Sequence, residues 1–213
     1  MKQVYVIRHG QTDWNAEGRW QGHEDVPLSD EGYKQAQALA KHLAHVDFAA
    51  VYTSDLQRAR ETGRALAEAT HAPLVIDPRL RELHLGALQG LTHAEIRERY
   101  PNDDEQMKTN YLDHVVTGGE SRRVMQARAY AAWQDMLEQT DSRPVALVSH
   151  GGTIRLLLLR VLDPAESEAI MRLSIGNTSY TVLDVADDGT VQLRVSAEHS
   201  HLTQQAADKG ERL

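Results

Sequence analysis

The feature that most constrains the fold of this chain is a repeated change of period. Short apolar runs alternate with longer stretches in which apolar residues recur every three or four positions. Gln3–Ile7, Ala49–Thr53, Leu74–Ile76 and Val145–Ser149 read as strands. Ser29–Ala44, Asp55–Ala69, His93–Arg99, Glu120–Gln139 and Thr153–Leu162 read as helices. In the first of these, Ala36, Leu39, Ala40 and Leu43 share a face. Ser54, with Gln57 three positions on, has the form of a capping box opening the second. Pro78, Pro101 and Asp163-Pro164 supply stops. Ser179–Val185 and Thr190–Ser196 read as strands joined by a hairpin turn at Asp187-Asp188-Gly189. This order predicts a three-layer α/β fold: a mostly parallel sheet flanked by helices, with an antiparallel edge hairpin. A chain of 213 residues suits one domain, residues 1–197, followed by a polar C-terminal tail, 198–213. Residues 91–118, with charge clustered at Asp103-Asp104-Glu105, read as a short excursion over the active-site face.

Composition narrows the chemistry. There is no cysteine, which excludes disulfides, thiolate metal sites and a cysteine nucleophile. The net charge of −8 argues against a nonspecific nucleic-acid or membrane-surface binder. Of the 23 basic residues 18 are Arg, whose planar fork matches phosphate and carboxylate oxygens. A GC-rich coding bias would produce the same excess. The apolar run Val4–Ile7 is too short for a signal-peptide core, and Leu156–Leu159 is bounded by Arg155 and Arg160. A cytoplasmic protein with no membrane partner is expected.

In open α/β sheets ligands bind beyond the carboxyl ends of the strands. Arg8-His9-Gly10 follows the first strand. Ser54 follows the second, with Arg58 one turn into the next helix. Arg81-Glu82 follows the third, and His150-Gly151-Gly152 the fourth. Two His, two or three Arg and one Glu therefore converge on one sheet edge. Arg8 and Arg58 suit charge-assisted bonds to phosphoryl oxygens. The Gly151-Gly152 turn offers backbone N–H groups at a helix N-terminus, and Asn15 a neutral donor. A neutral imidazole is a competent phosphorus nucleophile, and a carboxylic acid can protonate a departing alkoxide.

Each residue also has a plainer reading. A histidine after a strand can cap or pack, and Arg58 can pair with Glu61. Glu82 can be a loop carboxylate. His23-Glu24-Asp25 and His199-Ser200-His201 look superficially ligand-like, but neither has the helical His pair with an intervening Glu, so no metal is expected. His42, His45, His71, His93 and His114 fall on exposed positions, and His84 lines the site or packs. Trp14, Trp20 and Tyr111 form an apolar wall or belong to the core.

The stretch Val6-Ile7-Arg8-His9-Gly10-Gln11-Thr12-Asp13-Trp14-Asn15 resembles the signature of the histidine phosphatase superfamily, phosphoglycerate mutase-like branch. The similarity continues in order through Gln21-Gly22, Pro27-Leu28-Ser29, Ser54 to Ala59, Leu80-Arg81-Glu82, Gly119-Glu120-Ser121 and Val148 to Gly152. The resemblance implies a phosphohistidine formed at His9, with Arg8, Arg58 and His150 around the phosphoryl group. Asn15 and the Gly151 backbone complete that pocket. Glu82 is implied as proton donor and then base, and Gln21 and Gly22 as the substrate entrance.

Phosphatase and mutase share that intermediate. Cofactor-dependent mutases similar to this chain carry a longer, basic insertion between the Glu82 block and Gly119-Glu120-Ser121. Here Arg97, Arg99 and Lys108 do not reproduce its paired arginines. Arg122-Arg123 are paired but lie after that block, where the pattern does not ask for them. The expectation is a metal-independent phosphomonoesterase, without cofactor, acting on a small phosphorylated metabolite. A bisphosphoglycerate-dependent phosphoglycerate mutase is the alternative, and a non-catalytic phospholigand-binding module a third reading. A homodimer edge at the terminal hairpin, near Asn177-Thr178-Ser179, is left open.

Overall fold

Val145–Ser149 is buried at every position, and its sequence VALVS shows why. Val145 and Leu147 enter one core with Trp133, Met136, Leu157 and Leu158. Ala146 and Val148 enter another with Leu39, Ala59 and Leu66. A strand covered on both faces needs apolar residues throughout. The computed structural model describes residues 1–164 and 167–202. The predicted tail lies, beyond residue 202, outside the described residues.

The elements in chain order are β1 (Lys2–Arg8), α1 (Asp13–Glu17), α2 (Asp30–His42), β2 (Ala50–Thr53), α3 (Gln57–Thr70), β3 (Leu74–Ile76), α4 (His93–Arg99), α5 (Pro101–Thr109), α6 (Arg122–Gln139), β4 (Val145–Ser149), α7 (Gly151–Val161), α8 (Ser167–Arg172), β5 (Tyr180–Val185) and β6 (Val191–Glu198). The sheet order is β3-β2-β4-β1-β5-β6. The first four strands run parallel; β5 pairs antiparallel with β1, and β6 with β5. The three-layer fold with its edge hairpin is therefore as expected. Helices α2 and α3 cover one face of the sheet, α6 and α7 the other. A third cluster, including Leu83, Leu85, Ile96, Met107 and Met125, carries α4 and α5 beyond the sheet edge.

Local departures from expectation have tertiary causes. Helix α3 starts at Gln57 and not at Asp55, and Leu56 at its N-cap gives no side-chain bond. The Gln57 N–H donates instead to Asp25 Oδ1 at 2.6 Å, so a distant loop supplies the cap. Meanwhile Asp55 binds Arg81, and the Ser54 Oγ accepts from the Leu56 N–H. The excursion at 91–118 holds the expected helix over His93–Arg99 and a second, unexpected one. Thr92 and Glu95 form a capping box for α4, and Pro101, expected only as a stop, opens α5 at its first turn. Helix α6 begins at Arg122 because Ser121 is its cap, and Glu120 is turned to other partners. Helix α7 begins two residues earlier than predicted, at Gly151. His93 and His114, expected as plain surface residues, bind Asp104 and Asp103 at 2.9 and 2.8 Å. Among the described residues no helix is long and apolar enough to cross a membrane.

Candidate active site

The parallel register of β1 and β4 sets Arg8 opposite Ser149. The next residues, His9 and His150, therefore leave adjacent strands together, with ring centroids 5.1 Å apart. The His9 N–H donates to the Ser149 carbonyl at 3.0 Å and continues the ladder by one residue. Gly10 turns the chain against α2. A Cβ there would lie 2.6 Å from the Gly32 carbonyl oxygen, so only glycine permits this approach.

His9 and His150 are both buried. Burial, with the guanidinium of Arg58 beside them, holds both imidazoles well below their usual range; Arg8 acts on both in the same sense. Both rings are therefore neutral at pH 7. Nδ1 of His9 lies 2.7 Å from the Gly10 carbonyl, which can only accept, so this nitrogen carries the proton. The lone pair then resides on Nε2. His150 is set the opposite way. Its Nδ1 accepts from Arg58 Nε at 3.2 Å, so Nε2 bears the proton, and this buried atom has no partner among the described residues.

Arg58 is more committed than a free phosphate clamp. Besides His150 it donates through Nη1 to the Glu24 carbonyl at 2.7 Å and through Nη2 to the Gly22 carbonyl at 2.8 Å. It thus ties α3 to the 22–24 loop and to β4. Arg8 Nη1 donates to the Ile175 carbonyl at 2.7 Å. Arg81, the third arginine at this edge, forms a bidentate pair with Asp55 and does not line the cavity.

The N-terminus of α7 is engaged by Glu82. Its Oε2 accepts from the Gly152 N–H at 3.0 Å, and Oε1 from the Thr153 N–H at 3.1 Å, the Thr153 hydroxyl at 3.1 Å and the Leu83 N–H at 2.9 Å. A Cβ on residue 152 would sit 2.7 Å from that carboxylate. The anion-binding turn expected at Gly151-Gly152 therefore holds an internal carboxylate, and Gly151 packs against the Arg8 guanidinium. The loop bearing Glu82 is fixed from behind. Arg128 on α6 donates to the carbonyls of Arg79, Arg81 and Glu82, each at 2.7 Å, and pairs with Glu120 at 2.6 Å. Glu120 also accepts from the His84 N–H at 3.0 Å.

Asn15, Gln21 and Gly22 line the same cavity. The Asn15 Oδ1 accepts from the Thr12 N–H and from Asn177 Nδ2 at 3.1 and 3.3 Å. Gln21 is buried, and its Oε1 has no partner among the described residues. His23 touches the edge-on ring of His84 and reaches the Glu82 carbonyl at 2.8 Å, so it braces the Glu82 loop, and neither ring lines the cavity. Three residues that support the site were not read as such from the sequence. Asn177 donates to the His9 carbonyl at 3.0 Å, and the Thr178 N–H to the carbonyls of Arg8 and His9 at 3.1 and 3.2 Å. Thr178 has φ +55°, strained for a β-branched residue. These residues are buried behind the nucleophile strand, and the strand they lead into is paired on both sides within the sheet. The turn-like Gly176-Asn177 pair was the available signal. Thr62 was the third; its hydroxyl accepts from the Gly10 N–H at 3.0 Å.

The cavity measures about 440 Å³. It is lined by the polar residues Arg8, His9, Arg58 and Glu82 and by Trp20, Leu83, Met107, Tyr111 and Leu156. Among the described residues no group of three or more His, Asp or Glu is placed to hold a metal ion. In the ligand-like segments, His23 and Asp25 bind the Glu82 carbonyl and the Gln57 N–H, and His201 binds Thr178. Fold and site together define an α/β protein with a cationic, imidazole-lined cavity at the carboxyl edge of a parallel sheet. The chain belongs to the histidine phosphatase superfamily (branch 1), whose family model matches residues 4–198. It is 34% identical to a probable phosphoglycerate mutase, GpmB, of Escherichia fergusonii, with the whole of both chains covered. It is also similar to a mycobacterial glucosyl-3-phosphoglycerate phosphatase solved with VO3, at 35% identity and TM-score 0.76 over 92% of this chain and 97% of that one. A putative alpha-ribazole-5'-P phosphatase from Escherichia coli superposes with TM-score 0.84 at 26% identity, over 93% and 97% of the two chains.

Proposed function

We propose that this protein is a phosphomonoesterase that works through a phosphohistidine at His9 and needs no metal ion. The observation that carries this reading is the tautomer of His9: neutral, with Nδ1 committed to Gly10 and Nε2 as the nucleophilic atom beside two arginines. In the first step Nε2 attacks phosphorus, the P–O ester bond breaks, and the leaving alkoxide takes a proton from Glu82. Oε1 of Glu82 already accepts three bonds and Oε2 one, so Oε2 has the capacity for that exchange. In the second step the Glu82 carboxylate takes a proton from water, whose oxygen attacks phosphorus. The P–N bond breaks, and inorganic phosphate leaves with His9 restored. Arg8, Arg58 and the His150 Nε2–H counter the charge on the phosphoryl oxygens, the kind of electrostatic help that dominates phosphoryl transfer. Asn15 and the Gly151 turn border the same group, and Gln21 and Gly22 the way in. The substrate class is a small phosphorylated metabolite, in keeping with a cavity of about 440 Å³ and with the phosphatases named among the similar structures.

The decisive experiment is rapid quenching of turnover with a 32P-labelled phosphomonoester, followed by peptide mapping. Label on the peptide carrying His9, lost in His9→Ala and unaffected by EDTA, is the expected result. Turnover in His9→Ala at the wild-type rate overturns the reading. The GpmB relative supports a second reading, phosphoglycerate mutase. Against it, Arg97 and Arg99 of the excursion lie outside the cavity and Lys108 within it is paired with Asp104. Conversion of 3- to 2-phosphoglycerate with little phosphate released would favour the mutase.

A further inference from the structure

Thr178 and Ala197 both sit in left-handed backbone, at φ +55° and +43°. Glycine adopts that conformation freely, whereas a residue with a side chain is strained there and persists only where its surroundings over-determine it. The Ala197 N–H donates to the Thr181 hydroxyl at 3.2 Å. Just past β6 the Leu202 N–H closes a turn on the His199 carbonyl at 2.9 Å, and that turn carries His201. The His201 ring stacks on Tyr180 with centroids 6.2 Å apart, and it lies 5.6 Å from the ring of His42 on α2. Its Nε2 is 3.1 Å from the Thr178 hydroxyl oxygen.

The Thr178 hydroxyl has one proton, and it goes to the Asn177 carbonyl at 2.8 Å. Toward His201 the oxygen can therefore only accept, so His201 Nε2 carries the proton and donates. Burial, with the His42 ring beside it, keeps that imidazole neutral at pH 7. Its Nδ1 is buried without a partner, so among the described residues the bond to Thr178 is the polar contact that fixes the ring. That bond bears on the site through the backbone. The Thr178 N–H reaches the carbonyls of Arg8 and His9 at 3.1 and 3.2 Å, and the Ser179 carbonyl, one residue on, accepts from the Arg8 N–H at 3.1 Å. The φ torsion of Thr178 lies between these two grips. Relaxation of Thr178 toward negative φ would break one or the other.

We propose that His201 is a positioning residue for the nucleophile: by clamping Thr178 in its left-handed conformation from behind, it holds the Arg8-His9 backbone that aims His9 Nε2 at phosphorus. The inference rests on the phosphomonoesterase reading. It extends the working site to the turn after β6, which lies outside the cavity.

Two amides separate reach from polarity. The side-chain nitrogen of glutamine falls near the place of a histidine Nε2, and that of asparagine near Nδ1. His201→Gln can therefore keep the bond to Thr178, and His201→Asn cannot. The readout is the rate of p-nitrophenol release from p-nitrophenyl phosphate in a single turnover at saturating enzyme, below the melting temperature of every variant. His201→Asn should slow it by roughly tenfold, short of the ~10²-fold that a misplacement of about 1 Å can cost. His201→Gln should restore most of the rate, which a loss of stability alone would not predict. Thr178→Gly supplies the second arm, because glycine holds φ +55° without a clamp. In that background His201→Asn should slow the reaction by no more than about twofold, the mark of coupling between the two positions. Should His201→Asn not fold, His201→Ala takes its place in both backgrounds. Equal rates in wild type and His201→Asn overturn the proposal, as does a loss that Gln does not relieve or that persists in full beside Thr178→Gly. A wild type that releases no p-nitrophenol overturns the phosphomonoesterase reading and the inference with it, whereas an active wild type indifferent to His201 overturns the inference alone.

Discussion

At the scale of single residues, the two histidines are neighbours of opposite tautomer, and hydrogen bonds decide which is which. A carbonyl on one Nδ1 and a guanidinium on the other leave Nε2 of His9 an acceptor and Nε2 of His150 a donor. Glu82 is equally defined by its partners. If it supplies the proton, Glu82→Gln should slow esters of aliphatic alcohols by roughly 10²–10⁴-fold. p-Nitrophenyl phosphate, whose anion leaves unaided, should lose far less. Comparing the two in single-turnover assays checks this, and equal losses would remove Glu82 from the acid's role. The sequence made His9, His150, Arg8, Arg58 and Glu82 legible because each directly follows a strand or opens the next helix. It could not show that Arg58 spends its donors on carbonyls, because the 22–24 loop carries no periodic signal. Nor could it show that Glu82 occupies the turn at Gly152, since that contact joins residues 70 positions apart.

At the scale of elements, α6 does more than cover the sheet. Through Arg128 it gathers the carbonyls of Arg79, Arg81 and Glu82, and Arg128 pairs with Glu120, which accepts from the His84 N–H. Arg128→Met should leave those carbonyls and the Glu120 carboxylate without their donor, and a half-buried charge left unpaired costs several kcal/mol. We expect a lower melting temperature together with a drop in kcat that is larger for aliphatic than for p-nitrophenyl esters. A melting shift with unchanged leaving-group dependence would mean that the pair is structural only. Strands and long helices were readable from periodicity. The cap of α3 was not, because Asp25 supplies it from another loop, and neither was α5, the second helix of 91–118. There Pro101 served as a first-turn residue of α5 where a stop was expected.

At the scale of the whole molecule, the cationic cavity sits in a chain of net charge −8. It also makes folding sensitive to acid. His9 and His150 are held well below 6.5, and His201, half-buried against Thr178, is pushed down to about 4. Below pH 6.5 the unfolded chain binds protons at these positions and the folded chain does not, so stability is complete above that pH and falls beneath it. The slope is on the order of 1.4 kcal/mol per pH unit for each fully buried histidine. His201 adds less, being partly open to solvent. The carboxyls held low by arginine and lysine partners, such as Asp55 and Asp104, act only below about 4, so the window from 7 to 5 isolates the imidazoles. Urea unfolding midpoints across that window should decline, and His9→Gln should flatten the decline. An unchanged slope in the variant would show that other groups set it.

The pairing of β1 with β4 joins Val4 to Val145 and Arg8 to Ser149. During synthesis β1 therefore waits for β4. At synthesis rates of about 5–20 residues per second, the roughly 140 residues between them take on the order of 7–30 s. During that time β1 lacks both of its permanent neighbours, β4 and β5, and the half of the site it carries cannot assemble. A fragment ending before residue 145 would hold His9 and Arg58 and still lack β4 and His150, so the two halves of the site meet only once β4 has been made.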